Sequence, residues 1–135
     1  MNSQRLLGID YGSKRIGLAL TDSTNTFATP HSVVSNSTTA IDEILQICND
    51  NDVGTIIIGE SHDYAGQDNP IQADIEKFVE RIHGKSDIAV IYHPEFLTSF
   101  QSERTMHDLK GNKDMLDASA AALILQSYID THNNK

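Results

Sequence analysis

The sequence has little of several residue types, and each shortage excludes a class of protein or site. Cys48 is the single cysteine, so no internal disulfide and no C-x-x-C zinc motif can form. One cysteine suits a reducing, cytoplasmic setting. No apolar run approaches the roughly 20 residues that span a bilayer, and no long apolar stretch follows residues 1–5. We therefore expect neither contact with a membrane nor a secretory signal.

Basic residues are also scarce. Lysine and arginine total 10 against 19 aspartates and glutamates, which gives a net charge of −9. Such a surface is unlike one wrapped in nucleic acid, because neutralising phosphates needs clustered basic residues. Two interpretations stay open. The chain is an ordinary acidic protein, or some of its acidic residues gather at a cation site, where a bound divalent ion offsets their charge.

The apolar patterns predict one α/β domain over residues 1–135. In chain order they indicate strands over 6–9, 16–20 and 28–34, a helix over 38–51, a strand over 53–59, a helix over 70–84, a strand over 88–92 that stops at Pro94, and helices over 97–109 and 117–131. Three antiparallel strands followed by this alternation imply a five-stranded mixed sheet with helices on both faces.

Asp10 is unusual because it is a carboxylate that directly continues the apolar run over 6–9 of the first predicted strand. Burying an unpaired carboxylate costs several kcal/mol, so such a group has a partner, a metal ion or a catalytic role. In the predicted topology the first strand is central, next to the strand that ends at Gly59, and a central strand is a rigid mount for a site. The alternative is structural: Asp10 accepts hydrogen bonds from the turn over residues 12–14.

Asp117 is the second candidate, at the predicted start of the last helix. The small side chains over 118–122 let this helix press closely on the sheet and bring Asp117 towards Asp10. The structural alternative is that Asp117 meets the positive end of the helix dipole in the first turn. Asp114 before it is a natural capping residue.

Glu95 and Glu60 follow the two parallel strands, where residues of α/β sheets often face a ligand crevice. Either glutamate would make an all-oxygen set with Asp10 and Asp117, which suits Mg²⁺ or Mn²⁺ rather than zinc or copper. Two such ions about 4 Å apart stabilise the attacking and leaving oxygens of phosphodiester cleavage. The alternative for each glutamate is a solvated loop residue.

Four basic residues are the best candidates to contact a nucleic-acid phosphate, against the alternative of ordinary surface charge. They are Lys14 and Arg15 at the tip of the first hairpin, and Lys110 and Lys113 before the last helix. The contiguous Ser-His-Asp at 61–63 is not a catalytic triad, because adjacent side chains rarely converge in that geometry.

Two motifs resemble one known family. The stretch L-G-I-D-Y-G-S-K-R-I-G-L-A-L-T-D over 7–22 resembles the opening of the YqgF/RuvX family of Holliday-junction resolvases. D-A-S-A-A-A-L-I-L-Q-S-Y-I-D over 117–130 is similar to that family's closing helix. The resemblance implies a ribonuclease H-like fold and a metal-dependent nuclease that processes the precursor of small-subunit ribosomal RNA or cuts branched DNA. It also implies that Asp10, Glu95 and Asp117 are the catalytic residues and metal ligands.

The chain departs from this family in two segments. P-E-F-L-T-S over 94–99 has Pro94 where the family has aspartate and Phe96 where it has arginine, and 59–61 reads G-E-S instead of G-[LF]-P. Loss of an arginine removes a bidentate phosphate contact. Our hypothesis is that Glu60 compensates as a carboxylate.

Two rival functions follow. The first is a nucleic-acid or ribosome-associated binding module that has lost catalysis, which the altered 94–99 segment and the acidity favour. The second is a phosphotransferase of the actin and sugar-kinase superfamily, because Asp10-Tyr11-Gly12-Ser13 also resembles its phosphate loop. That fold clasps a nucleotide between two domains, and 135 residues supply only one.

Overall fold

A computed structural model of the chain describes residues 4–61, 70–95 and 113–133, with side chains over 4–60, 71–93 and 117–132. Its elements in chain order are β1 (Arg5–Tyr11), β2 (Arg15–Thr21), β3 (Ala28–Ser35), α1 (Ala40–Asp50), β4 (Val53–Ser61), α2 (Pro70–His83), β5 (Ala89–Glu95) and α3 (Lys113–Asn133). The predicted helix over 97–109 lies outside the described residues. Within the described ranges, no helix is long and apolar enough to cross a membrane.

The five strands form one mixed sheet in the order β3-β2-β1-β4-β5. β1 pairs antiparallel with β2, and β2 antiparallel with β3. β4 runs parallel to both β1 and β5. The predicted topology is therefore confirmed, with β1 central and β4 beside it. Pro30 lies on β3, an edge strand, where a residue without an N–H is tolerated.

Strand alternation divides the core into two layers. One layer packs the sheet against α1 and α2 and includes Leu7, Ile9, Ile44 and Phe78, all fully buried. The other packs the sheet against α3; its buried members are Ala19, Ile57, Ala121, Ile124, Leu125 and Ile129. Helices thus cover both faces, as predicted. Because successive strand residues alternate between the layers, position along a strand decides which helices a side chain meets.

Four predicted boundaries that bear on the site are wrong. β1 continues past residue 9 to Tyr11 and β4 past residue 59 to Ser61, so Asp10 and Glu60 lie on strands. β5 does not stop at Pro94 but continues to Glu95. It can do so because β5 is an edge of the described sheet, where proline need not donate a ladder hydrogen bond. α3 begins at Lys113 rather than Asp117, since no helix breaker lies between Gly111 and Asp117. Lys113 is therefore the first residue of α3 rather than part of a loop.

Candidate active site

Asp10 lies on the sheet face that α3 covers. Leu6 and Gly8, two and four residues earlier on β1, both contact the α3 layer. Tyr11 lies on the opposite face, where its ring packs against Phe78 with the centroids 5.1 Å apart. The period of two along β1 therefore places Asp10 under α3, and its side chain is partly exposed.

Gly17 brings the backbone of Asp117 onto this part of the sheet. Gly17 is the cross-strand partner of Asp10. A Cβ added to Gly17 would lie 2.0 Å from the carbonyl oxygen of Asp117 and 3.0 Å from the backbone nitrogen of Ala118. Paired Cα atoms of antiparallel strands lie about 4.5–5.5 Å apart. The backbone of Asp117 therefore contacts the sheet at Gly17, the residue of β2 that pairs directly with Asp10.

The close approach of α3 to the sheet confirms the prediction made from its small residues. On α3, the run of alanines that includes Ala121 lies against the sheet. On the sheet, Gly8 and Gly17 lie against α3, and a Cβ added to Gly8 would lie 2.8 Å from the Ala121 carbonyl oxygen. Neither glycine was predicted from the sequence. The signal was present, because a glycine inside a strand often marks a close backbone approach.

Arg15 forms an ion pair with Asp117. Its Nε–H donates to Oδ2 of Asp117 at a donor–acceptor distance of 2.6 Å. The two side chains are 35% and 27% exposed, so solvent reaches the pair. Among the described residues, Arg15 is the only one that forms a hydrogen bond or ion pair with the Asp117 carboxylate. Arg15 was predicted to contact a nucleic-acid phosphate; in the structure its partner on α3 is a candidate metal ligand.

Asp117 lies in the second turn of α3, because the helix begins four residues before it. The favourable effect of a helix dipole on a carboxylate fades within the first turn. The dipole interpretation of Asp117 therefore loses its basis, and its contact with Arg15 is the electrostatic partner that the structure shows.

The hairpin tip that carries Lys14 is pinned by Asn36, which follows β3. The Asn36 side-chain amide donates to the Gly12 carbonyl oxygen at 2.8 Å, and its backbone N–H donates to the Lys14 carbonyl oxygen at 2.9 Å. Lys14 itself is exposed. The tip is thus a fixed mount for an exposed cation, and Asn36 is a supporting residue that sequence reasoning missed.

Glu60 does not share a face with Asp10. On β4 it follows Ile56 and Ile58 with a period of two, and both isoleucines belong to the α1–α2 layer. Burial raises the pKa of Tyr92, a residue of that same layer, and the nearby charges of Glu76 and Glu60 add to the shift. The hypothesis that Glu60 supplies a carboxylate beside Asp10 is therefore corrected.

Three other predicted residues lie at the limits of the described structure. Glu95 is the last residue of β5 and pairs in register with Ser61, but its side chain lies outside the described residues. The same holds for the side chain of Lys113, whose backbone opens α3. Lys110 lies outside them altogether.

His93 ties the end of β5 to α3. Its Nε2 is 3.0 Å from the Ser127 hydroxyl oxygen, and its ring meets that of Tyr128 edge-on. Burial lowers the pKa of His93, the neighbouring His132 lowers it further, and Glu60 opposes the shift. His93 therefore lies on the α3 face, two residues before Glu95. The scattered histidines gave no hint of this link.

The donor atoms are chemically suited to a hard divalent cation, although the described part of the chain does not complete a site. No group of three or more His, Cys, Asp or Glu side chains gathers there in a metal-binding arrangement. Asp10 and Asp117 contribute two carboxylates on one face, and Oδ1 of Asp117 has no hydrogen-bond partner among the described residues. Carboxylate oxygens are the ligands that Mg²⁺ and Mn²⁺ prefer.

The chain is similar along nearly its whole length to one family of proteins. The family model of RuvX, described as Holliday junction resolvase, matches residues 4–131. A protein of Endomicrobium trichonymphae named "Putative pre-16S rRNA nuclease" is 36% identical over 97% of this chain and 99% of its own length. A protein of Thermoanaerobacter pseudethanolicus with the same name is 33% identical over the same shares.

Two solved structures share the fold. RuvC of Thermus thermophilus in complex with a Holliday junction substrate superposes with a TM-score of 0.58 at 12% identity, over 98% of this chain and 97% of its own. A fowlpox virus resolvase with Holliday junction DNA gives a TM-score of 0.54 at 12% identity, over 96% and 99%. The fold is therefore the ribonuclease H-like fold of the RuvC resolvases, which confirms the fold expected from the sequence.

Proposed function

The chain belongs to the RuvX family of Holliday junction resolvases, and from this premise we propose that it is a divalent-metal-dependent endonuclease. Its proposed substrate is the precursor of small-subunit ribosomal RNA, in line with the names of its relatives, or branched DNA. The observation that carries the proposal is the contact of the Asp117 backbone with Gly17, which brings Asp117 onto the sheet beside Asp10.

The proposed ligands of Mg²⁺ or Mn²⁺ are Asp10, Asp117 and Glu95. Asp10 and Asp117 come from rigid elements on one face. Position 95 follows His93 by two residues on β5, and His93 contacts α3 on that face, so strand alternation brings position 95 to the same side. A divalent ion supplies Lewis acidity towards the phosphate oxygens. The residues of the chain fix its place, since sites built on strands and helices are held more precisely than sites on loops.

The proposed nucleic-acid contacts are Lys14, Lys110 and Lys113. Lys14 is exposed on the hairpin tip that Asn36 holds in place. This tip follows the end of β1, close to Asp10. Because the whole chain has a net charge of −9, nucleic-acid binding depends on this local patch and falls steeply with salt.

We propose that the protein is located in the cytoplasm. The cytoplasm holds ribosomal RNA precursor and keeps thiols such as that of the buried Cys48 reduced.

A cleavage assay tests the proposed function. The protein is incubated with Mn²⁺ and either ribosomal RNA precursor or four-way-junction DNA, with a chelator arm for each substrate. We expect cleavage of at least one substrate, abolished by the chelator, because the carboxylates alone cannot stabilise charge on the phosphate. Metal-independent cleavage, or none on either substrate, contradicts the proposal.

A second candidate function is a binding module without catalysis. The replacement of arginine by Phe96 and of aspartate by Pro94 favours it, because both changes fall next to Glu95. Retention of either substrate in a gel-shift assay, combined with no cleavage in Mn²⁺, supports this candidate over the nuclease.

The two glutamates are expected to behave oppositely. Glu95→Gln removes a proposed ligand and should abolish cleavage. Glu60→Gln should leave the rate within about threefold of wild type, since β4 turns Glu60 towards the α1–α2 layer. Each variant makes the same change of one oxygen to one nitrogen, so each controls for the other. Loss of cleavage in Glu60→Gln with activity kept in Glu95→Gln would restore the compensation hypothesis.

A further inference from the structure

Arg15 and Lys14 are adjacent cations on the same hairpin, yet the structure gives them different surroundings. Lys14 is exposed at the turn, while the Arg15 Nε–H is bonded to Oδ2 of Asp117. Strand alternation accounts for the difference. Arg15 precedes Gly17 by two residues on β2 and therefore shares the face on which α3 lies.

Both ends of the Arg15–Asp117 contact are built on fixed backbone. At the β2 end, Gly12 is so close to Arg15 that an added Cβ would lie 2.5 Å from the Arg15 carbonyl oxygen. At the α3 end, the Asp117 backbone rests on Gly17. A side-chain hydrogen bond between two fixed elements has a defined direction, which is the requirement for orienting a ligand.

The contact uses one carboxylate oxygen and leaves the other for a cation. Oδ2 accepts from Arg15, and Oδ1 has no hydrogen-bond partner in the described ranges of the chain. Carboxylates that bind metals are commonly held in this way by a hydrogen bond to the second oxygen, and losing the outer partner typically costs about 10–100-fold in metal affinity or activity. The exposure of the pair makes its contribution to folding stability small.

We propose that Arg15 is a positioning residue of the metal site: it holds Oδ2 of Asp117 so that Oδ1 is presented to a divalent ion on the Asp10 face. Arg15 then acts on the ion indirectly, by positioning Asp117, whereas Lys14 contacts a phosphate of the nucleic acid. The proposal rests on the proposed function, since it requires that Asp10 and Asp117 bind an ion.

The sign of the change in Mn²⁺ affinity tests this role. Removing a positive charge near a cation site strengthens cation binding by electrostatics alone. A loss of affinity in Arg15→Gln therefore cannot come from the charge and reports lost orientation. We expect Mn²⁺ binding, measured by electron paramagnetic resonance without nucleic acid, to weaken about tenfold or more in Arg15→Gln. Lys14→Gln, the matched loss of charge one residue away, should stay within about twofold of wild type.

Nucleic-acid binding should show the opposite pattern. The slope of log affinity against log salt falls by about 1 when one phosphate contact is lost. We expect this fall in Lys14→Gln and an unchanged slope in Arg15→Gln, measured by fluorescence anisotropy with a labelled four-way junction. Arg15→Lys keeps the charge but lacks the guanidinium N–H, so its Mn²⁺ affinity should remain clearly below that of wild type.

Circular dichroism confirms that each variant is folded before its Mn²⁺ affinity is compared. Mn²⁺ binding in Arg15→Gln as tight as in wild type, or tighter, overturns the positioning role. So does full rescue by Arg15→Lys, because charge alone would then suffice. If wild type binds no Mn²⁺, or Asp10→Asn binds it equally well, the proposed function itself fails. Binding that depends on Asp10 but not on Arg15 overturns this inference alone.

Discussion

Asp10→Asn is expected to abolish metal-dependent cleavage. The substitution keeps the size of the side chain and one carbonyl oxygen but removes the negative charge from the central strand. Loss of an outer partner of a metal ligand already costs about 10–100-fold, so loss of a proposed direct ligand should exceed 100-fold in the rate of cleavage. The measurement is initial rate with saturating Mn²⁺ on whichever substrate the wild-type protein cuts.

Asp42→Asn is the matched control for Asp10→Asn. Asp42 lies on α1, on the other side of the sheet, where it forms an exposed ion pair with Lys85 at 2.7 Å. Exposed pairs of this kind contribute little to stability. The control should therefore cut at the wild-type rate. Equal rates for Asp10→Asn and wild type would remove Asp10 from the mechanism.

Gly17→Ala is expected to damage both the fold and the site. The added methyl group would lie 2.0 Å from the Asp117 carbonyl oxygen. A backbone atom cannot move aside by changing rotamer, so α3 must shift away from β2. Overpacking usually costs about 1–3 kcal/mol, and we expect the upper end of that range or more. The melting temperature should then fall by roughly 10 °C or more, and Mn²⁺ affinity should fall because Asp117 is displaced from Asp10.

Gly84→Ala is the control for the loss of a glycine. Gly84 follows α2, and an added Cβ there would lie 3.5 Å from its nearest neighbour, the Arg81 carbonyl oxygen, which is an ordinary contact. The free energy of unfolding of Gly84→Ala should stay within about 0.5 kcal/mol of that of wild type. A Gly17→Ala protein as stable as wild type, with unchanged Mn²⁺ affinity, would show that the close approach of α3 is not required.

Local patterns predicted most of the fold. Alternating and continuous apolar runs located all five strands, and the topology rules placed β1 beside β4. The errors are element boundaries, because local sequence rules predict elements shorter than those in the structure. Pro94 reads as a stop, but an edge strand tolerates it. The polar run over 111–114 indicates a loop and a helix start at Asp117, whereas the helix extends back to Lys113.

The candidate site was only partly predictable for a different reason. Carboxylate chemistry and small residues identified Asp10 and Asp117 as neighbours, because both signals are local. The face on which Glu60 lies depends on the register of β4 in the sheet. The pairing of Arg15 with Asp117 joins residues 102 positions apart. The sequence places Arg15 at a hairpin tip but shows neither which face of β2 it takes nor that Asp117 is its partner.

Asp10 and Asp117 are proposed to hold the same divalent ion. Mn²⁺ titrations of wild type, Asp10→Asn, Asp117→Asn and the double variant, followed by electron paramagnetic resonance, test it most directly. Ligands of one ion act as a unit, so their effects do not add. We predict that each single variant weakens Mn²⁺ binding more than tenfold and that the double variant is weaker than either by only a few-fold. Wild-type Mn²⁺ affinity in either single variant would contradict the claim.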